Sequence, residues 1–322
     1  MRTMHDDLPH PVPPVAYVRW KENYFFVILC HEQNVFGIGH INNEPGFERS
    51  RFACALSVNG KQYTYKNECA IPDDFGASPE IGDGRMTMKV VKSHEELHLK
   101  VDGDDFMLDA RFSARMPSFE FGACRYGAPE NLSFKEVMTF GTNLPYEHMQ
   151  QAMTIGGTLT LREGGKEIAL DGYGYRDHSW GMRTDNAVAW HTWSGLNFPG
   201  KAFGIMDLEM LGRPGVAREG YVADEEGVRV LRKIEIRKEN IQADGLPAKV
   251  IWDVTDVFGK RYVMEADIAG RFGEVRHENE KASKPSGKTG YSMMETFCSI
   301  RLDGSDERGV GLVEIGESAV KR

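Results

Sequence analysis

One stretch near the middle of the chain, Gly172 to Trp193, collects side chains that can do chemistry. It reads GYGYRDHSWGMRTDNAVAWHTW and holds three of the five tryptophans and two of the ten histidines of the chain. An exposed loop rarely carries so many large aromatic residues, and a plain core strand rarely carries Arg-Asp-His. The mixture is typical of a pocket wall, which is mostly apolar with a few placed polar groups. The candidate wall residues are Tyr175, Arg176, Asp177, His178, Trp180, Arg183, Trp190, His191 and Trp193.

Two familiar chemistries fit this stretch only in part. Asp177 beside His178 resembles part of a hydrolase triad, but no G-x-S-x-G motif supplies a nucleophile, and Ser179 cannot complete a triad with its own neighbours. A metal site would require His178 and His191 to converge across a hairpin, with Glu295 as a further ligand. The chain has no compact motif of the H-E-x-x-H kind. We therefore expect no metal requirement.

Acid catalysis on an apolar substrate is the third option. A buried Asp177 would have a raised pKa, because burial disfavours its anion, and could then donate a proton to an alkene. Tryptophan and tyrosine faces can stabilise a cationic intermediate, and Arg176 or His178 could tune or reload the acid. The alternative is structural: Asp177 pairs with a neighbouring Arg or His while the tryptophans fill a core. Glu295, in an apolar strand, is either a second carboxyl in the cavity or a residue that alternation turns to solvent.

The surrounding sequence predicts strands that must position these residues. Apolar or alternating segments of strand length recur, and one ends at Asn59-Gly60, a hairpin signal. No stretch of twelve or more residues has a convincing helical period, and the best helix candidate, Tyr146 to Met153, is weak. Strands at this spacing indicate an antiparallel sandwich or barrel. A junction near residue 150 predicts two β domains, 1–150 and 151–322, with the motif in the second.

Strand geometry constrains the motif itself. In a regular strand Tyr175 and Asp177 face one side, whereas Arg176, His178 and Trp180 face the other. Asp177 and His178 can share a cavity only where a bulge breaks the alternation. Because glycines flank the segment, we expect such a distortion and the convergence of Asp177 with His178.

Composition excludes several classes of protein. The chain has 322 residues, 39 Lys+Arg against 48 Asp+Glu, and a formal charge of -9, with no basic stripe, so we expect no nucleic-acid partner. With 41% hydrophobic residues it can bury a sizeable core.

No segment reaches the roughly 18 apolar residues of a membrane-spanning helix, and the first residues do not resemble a signal peptide. The five cysteines form no C-x-x-C motif. We therefore expect a cytoplasmic protein.

The sequence GYGYRDHSWGMR, followed by WHTW, resembles the signature of the lipocalin-like superfamily that contains hydroxyneurosporene synthase (carotenoid 1,2-hydratase) and AttH-like proteins. Residues 146–159 and the late segment Gly309 to Glu314 are also similar to that group. The resemblance covers most of the C-terminal half. It implies an all-β protein of two calycin-type antiparallel β-barrel domains, packed together around a ligand cavity.

The resemblance also implies a function. Characterised relatives hydrate, cyclise or isomerise isoprenoid and polyketide-like substrates without a metal or organic cofactor. Asp177 would be the acid and His178 its partner, with Arg176 and Trp180 lining the site. Ser179 departs from the Asn that the carotenoid enzymes often carry. We therefore expect a hydratase, dehydratase, isomerase or cyclase for a hydrophobic isoprenoid- or steroid-like molecule. The alternative is a non-catalytic carrier of such a molecule, which needs few ionisable groups in its cavity.

Overall fold

The chain is built almost entirely from β-strands. The computed structural model describes residues 7–10, 12, 20–71, 78–121, 146–182, 188–210, 216–279 and 291–318. Within these ranges it has twenty strands and two short 3-10 turns, Pro45–Phe47 and Glu163–Gly165. The expected all-β fold is confirmed. The weak helix candidate at Tyr146 to Met153 is instead the start of a sixteen-residue strand that pairs along its whole length with the motif strand.

The first half of the chain supplies eleven strands. They are β1 (Trp20–Cys30), β2 (Val35–Glu44), β3 (Arg49–Val58), β4 (Lys61–Ala70), β5 (Glu80–Gly82), β6 (Met86–Lys92), β7 (Glu96–Asp102), β8 (Phe106–Ala114), β9 (Phe119–Glu120), β10 (Tyr146–Leu161) and β11 (Lys166–Met182). Ten of them follow the order β4-β3-β2-β1-β11-β10-β8-β7-β6-β5 in one curled antiparallel sheet. Asn59 and Gly60 both have positive φ in the β3–β4 turn, as the hairpin signal predicts.

The second half forms an eight-stranded antiparallel barrel with one further strand. The strands are β12 (Val188–Phe198), β13 (Lys201–Met210), β14 (Val216–Asp224), β15 (Gly227–Ile241), β16 (Pro247–Asp256), β17 (Arg261–Asp267), β18 (Gly273–Asn279), β19 (Tyr291–Leu302) and β20 (Arg308–Ser318). Pairing of β17 with β19 closes the barrel, while β18 extends β19 at its other end. Its interior is filled by large apolar side chains, including Phe198, Phe203 and Trp252.

The chain divides into two compact units. The first is drawn from Met1–Ser118 and Leu144–Arg183, and the second from Phe119–Asn143 and Thr184–Arg322. The boundary expected at residue 150 falls inside β10. Because β10 and β11 pair with β8 and β1, both strands belong to the first sheet. The motif strand therefore lies in the first unit, while Trp190, His191 and Trp193 lie in the second.

Strand β11 is regular through the motif. Each residue from Tyr173 to Met182 opposes one residue of β1, without a register shift. Tyr24 and Phe26 belong to the apolar core of the first unit, and they oppose His178 and Arg176. Since opposed residues of an antiparallel pair share a face, Arg176 and His178 lie on the core face of the sheet. Asp177 lies on the other face.

No helix among the described residues is long and apolar enough to cross a membrane.

Candidate functional site

Arg176 is held in a buried ion pair on the core face of the first sheet. Its guanidinium contacts Asp7 Oδ1 and donates to Gln151 Oε1 at 2.8 Å. Asp7 also accepts hydrogen bonds from the Ser93 hydroxyl at 2.5 Å and from the His94 amide at 2.7 Å. Burial opposes ionisation of Asp7, but the Arg176 charge and these hydrogen bonds outweigh it and lower its pKa to about 2. The ion pair with Asp7 and the hydrogen bond to Gln151 therefore hold the Arg176 side chain in place.

His178 belongs to a second buried cluster on the same face. Its Nε2 is 2.9 Å from Glu22 Oε1, and His10 Nδ1 is 2.7 Å from the same oxygen. Burial lowers the pKa of His178, although Glu22 opposes this shift. Burial also works against ionisation of Glu22, yet the hydrogen bonds from His10 and His178 prevail and lower its pKa. The cluster therefore holds an ionised carboxylate between two imidazoles.

Aromatic rings fix the positions of both histidines. The Tyr24 ring stacks on His178 with centroids 4.1 Å apart, and the Trp180 ring stacks on His10 at 3.9 Å. The Tyr24 hydroxyl donates to Glu22 at 3.3 Å. Trp180 thus packs against this histidine cluster on the face predicted by alternation.

Asp177 lies on the opposite face and has different partners. Its Oδ2 contacts His148 Nε2 and accepts a hydrogen bond from Gln150 Nε2 at 2.9 Å. The buried Tyr175 hydroxyl donates to Gln150 Oε1 at 2.9 Å. The expected convergence of Asp177 with His178 is wrong, because β11 stays regular between β1 and β10 despite the positive φ of Gly181. His148, from the strand read as a weak helix, is the actual partner of Asp177.

The aromatic residues after the motif strand are also divided between two faces. In the second unit Trp190 Nε1 donates to Glu209 Oε2 at 2.6 Å, and its ring lies under Lys238 Nζ at 4.9 Å. His191 instead contacts Glu314 Oε1, and Trp193 lies directly opposite Glu314 across the β12–β20 pair. Trp190 therefore does not share a site with His191 and Trp193. Arg183 lies outside the described residues.

Glu295 completes the cluster around His191. It lies directly opposite Glu314 in the β19–β20 pair and is fully buried. Burial, together with the neighbouring Glu314 carboxyl, raises the pKa of Glu295 well above its ordinary range. The side chains of His191 and Glu314 keep 11% and 13% exposure, so they form the accessible edge of this cluster. Glu295 therefore does not turn to solvent.

Asp207, inside the barrel of the second unit, is another buried carboxyl. It lies opposite Thr192, and burial raises its pKa despite the nearby charge of Lys238. Burial lowers the pKa of Lys238 in turn. Neither residue was singled out from the sequence, although a charged residue in the apolar segment around Asp207 was a usable signal.

Comparisons with solved structures show which proteins share this fold. An AttH protein from Nitrosomonas europaea has a TM-score of 0.66 at 12% identity, covering 92% of each chain. Kievitone hydratase from Nectria haematococca has a TM-score of 0.61 at 13% identity, covering 98% of this chain and 92% of its own. CghA, solved with Sch210972, has a TM-score of 0.63 at 11% identity, covering 96% and 94%. The chain therefore has the lipocalin-like fold that these three proteins share.

The family is identified by the sequence. Residues 3–319 match the model described as Domain of unknown function (DUF7064), and the chain belongs to that family. A comparison with curated proteins found no match.

Proposed function

We propose that the protein is an acid–base enzyme of the hydratase, dehydratase, isomerase or cyclase type, acting on a hydrophobic small molecule. The observation that carries the proposal is the cluster of Glu295, Glu314 and His191. A carboxyl whose pKa is raised by burial keeps its proton to a higher pH and can act as a proton donor. Here it lies beside a second carboxyl that contacts a histidine. Such a group of coupled sites can give up one proton and take up another.

The chemistry follows from the order of these groups. Glu314 and His191 contact the substrate, because they form the accessible edge, and buried Glu295 resupplies the proton. Protonation of an alkene by the carboxyl pair gives a carbocation, which the facing Trp193 ring stabilises. His191 then removes a proton from an attacking water, and the alkene gains one water in all. Loss of a carbon-bound proton to His191 instead gives an isomer. Attack by a second double bond on the cation closes a ring, and the cyclic cation then loses a carbon-bound proton to His191.

The first unit contributes a second candidate acid–base pair. Asp177 keeps its proposed role as an acid, with His148 rather than His178 as its partner. Its side chain retains 14% exposure, whereas Arg176 and His178 are almost completely buried and held by Asp7 and Glu22. Arg176 and His178 are therefore proposed to position the strand rather than to contact substrate.

One structural neighbour supports this reaction class by its name, kievitone hydratase. A second neighbour, CghA, was solved with a small molecule, Sch210972, which supports a small-molecule ligand. We propose an isoprenoid- or steroid-like substrate, in line with the sequence resemblance and with the aromatic residues near the proposed acids. A non-catalytic carrier is the competing function. The buried pair of Glu295 and Glu314 opposes it, because a carrier needs few ionisable groups and each of them costs desolvation free energy.

Mass spectrometry after incubation in D₂O tests the proposal. The protein is incubated with a panel of isoprenoid and steroid alkenes and allylic alcohols, and each compound is analysed for added water or incorporated deuterium. We expect conversion of at least one compound. Glu295→Gln and Glu314→Gln should reduce that conversion at least tenfold. Glu317→Gln, an exposed control on the same strand, should not. Saturable binding of panel members without any conversion would favour the carrier.

A further inference from the structure

The histidine cluster on the core face of the first unit has the composition of a metal site. His10, Glu22 and His178 each offer one ligand atom, and these atoms lie within 4.8 Å of one another. The side chains of Glu22 and His178 are 0% and 1% exposed, and that of His10 is 15% exposed. Two imidazoles and a carboxylate form a common ligand set for zinc. His10 is the most exposed of the three ligands.

The surroundings of Glu22 are the second observation. Three other buried carboxylates each contact an arginine: Asp7 contacts Arg176, Glu44 contacts Arg51, and Asp256 contacts Arg229. Among the described residues, the ion-pair partners of Glu22 are instead His10 and His178, whose ring nitrogens can serve as metal ligands. The His10 amide also donates to both Glu22 oxygens, at 3.1 and 2.9 Å, so the backbone holds His10 beside the carboxylate.

The third observation is that the donors are already fixed in place. Tyr24 stacks on His178 and Trp180 stacks on His10, so both rings are held in position by packing. Metal sites depend on such surrounding contacts to orient their ligands. Zinc ligand atoms at ~2.1 Å from the ion lie roughly 3.3 Å apart. The Glu22 carboxylate, now 2.7–2.9 Å from the two ring nitrogens, therefore needs to withdraw by only about 0.5 Å to admit an ion.

We propose that His10 Nδ1, Glu22 and His178 Nε2 bind one divalent transition-metal ion of the Zn²⁺ type. Three protein ligands leave a fourth position for water or a substrate oxygen, the pattern of catalytic rather than structural zinc sites. The site shares no residue with the proposed acid–base groups, and Asp177 lies on the opposite face of β11. It departs from the expectation, made from the sequence, that no metal is required.

Metal binding can be measured without a substrate. Untagged full-length protein is stripped with a chelator and dialysed against Zn²⁺, and its metal content is determined by elemental analysis. Co²⁺ is then used as a spectroscopic probe of histidine coordination. We expect one Zn²⁺ per chain, visible d–d absorption with Co²⁺, and a rise in melting temperature on adding Zn²⁺. Sub-stoichiometric zinc in the wild-type protein, with no thermal shift, would overturn the proposal.

Variants separate this site from incidental binding. Glu22→Gln and His10→Ala should each weaken Zn²⁺ binding at least a hundredfold and abolish the thermal shift. His10→Ala decides the matter if Glu22→Gln does not fold, because His10 is the least buried ligand. Asp109→Asn is the matched control, since it disrupts another His–carboxylate pair, His98–Asp109, in the same unit. Unchanged zinc affinity in His10→Ala would contradict the assignment. A failure to convert any substrate would leave these readouts unaffected.

Discussion

Asp177 and His178 are consecutive residues whose side chains lie on opposite faces of strand β11, where Asp177 contacts His148 and His178 contacts Glu22. The pair looks like a catalytic dyad in the sequence, but the strand separates it. Each residue belongs to a polar cluster of its own, with no shared partner among the described residues.

Independent clusters predict additive effects on stability. Asp177→Asn and His178→Gln should change the free energy of unfolding additively, with a coupling below about 0.5 kcal/mol, because the side chains share no partner. Asp177→Asn combined with His148→Gln should show a coupling of roughly 0.5–3 kcal/mol, since these residues are in contact. Urea denaturation of the single and double variants, in buffer with a chelator, measures both values. A large coupling between Asp177 and His178 would contradict the separation.

The raised pKa of Glu295 predicts a pH dependence with a definite sign. The unfolded chain ionises this group above its ordinary pKa of 4.5, whereas the folded protein keeps the proton to a higher pH. Wild-type stability should therefore fall as pH rises from 4.5 toward the folded-state pKa, by up to ~1.4 kcal/mol per pH unit.

Glu295→Gln cannot ionise in either state, so its stability relative to wild type should increase steadily with pH. Urea midpoints between pH 5 and pH 8 give the comparison, with Glu317→Gln as the exposed control. Parallel curves for wild type and Glu295→Gln would show that Glu295 is ionised in the folded protein.

The buried ion pair of Asp7 with Arg176 should be important for stability. Asp7→Asn leaves Arg176 buried without its partner, and we expect a loss of roughly 3–5 kcal/mol. Adding Arg176→Gln should restore part of that loss, because the unpaired charge is removed. Asp104→Asn, which disrupts an exposed pair with Arg85, should have no measurable effect. If Asp7→Asn behaves like Asp104→Asn in denaturation, the Asp7–Arg176 pair does not stabilise the fold in this way.

The same pair predicts the response to acid. The pKa of Asp7 falls from its ordinary 3.8 to about 2 in the folded protein. Its stabilising contribution is present above pH 3.8 and is lost as pH falls toward 2, by roughly 2 kcal/mol. Asp7→Asn should lack this part of the acid-induced loss. Acid titrations of the two proteins, followed by circular dichroism, would show whether their stabilities converge.

Two glycines of the motif should differ in their tolerance of a methyl group. A Cβ on Gly172 would lie 2.5 Å from the Leu29 carbonyl oxygen, whereas one on Gly174 would lie 2.8 Å from the Phe112 ring. A side-chain ring can move more easily than the backbone of a paired strand. We expect Gly172→Ala to cost about 1–3 kcal/mol or more, and Gly174→Ala to cost less. Gly156→Ala, whose nearest neighbour would be 4.0 Å away, is the control for both in thermal unfolding.

Local sequence patterns predicted the strands well. Alternation correctly assigned Tyr175 and Asp177 to one face of β11 and Arg176, His178 and Trp180 to the other. The Asn59-Gly60 signal located a hairpin. The prediction of a bulge failed because glycines permit a distortion but do not impose one, and two paired strands keep β11 regular.

The partners of these residues could not be read from the sequence. Glu22 is 156 residues from His178, and Asp7 is 169 residues from Arg176, so only strand pairing brings them together. Glu22 gave no clear signal, because it lies between Lys21 and Asn23, just before the apolar run that begins at Tyr24. His148 was not among the candidate residues, because the sequence does not reveal that β10 pairs along β11. Glu314 appeared only within a segment that resembles the superfamily.

The order of strands in the first sheet has a consequence for synthesis of the protein. Strand β1 lies between β2 and β11, with Trp20 opposite Met182. The hairpins β1–β4 and β6–β8 can form from local contacts soon after they leave the ribosome. One edge of β1, however, has no neighbour until more than half of the chain has been translated. The apolar residues of β1 and the carboxylate of Glu22 therefore remain unpaired along this edge until β11 has been synthesised. We expect this edge of the nascent chain to need protection from aggregation.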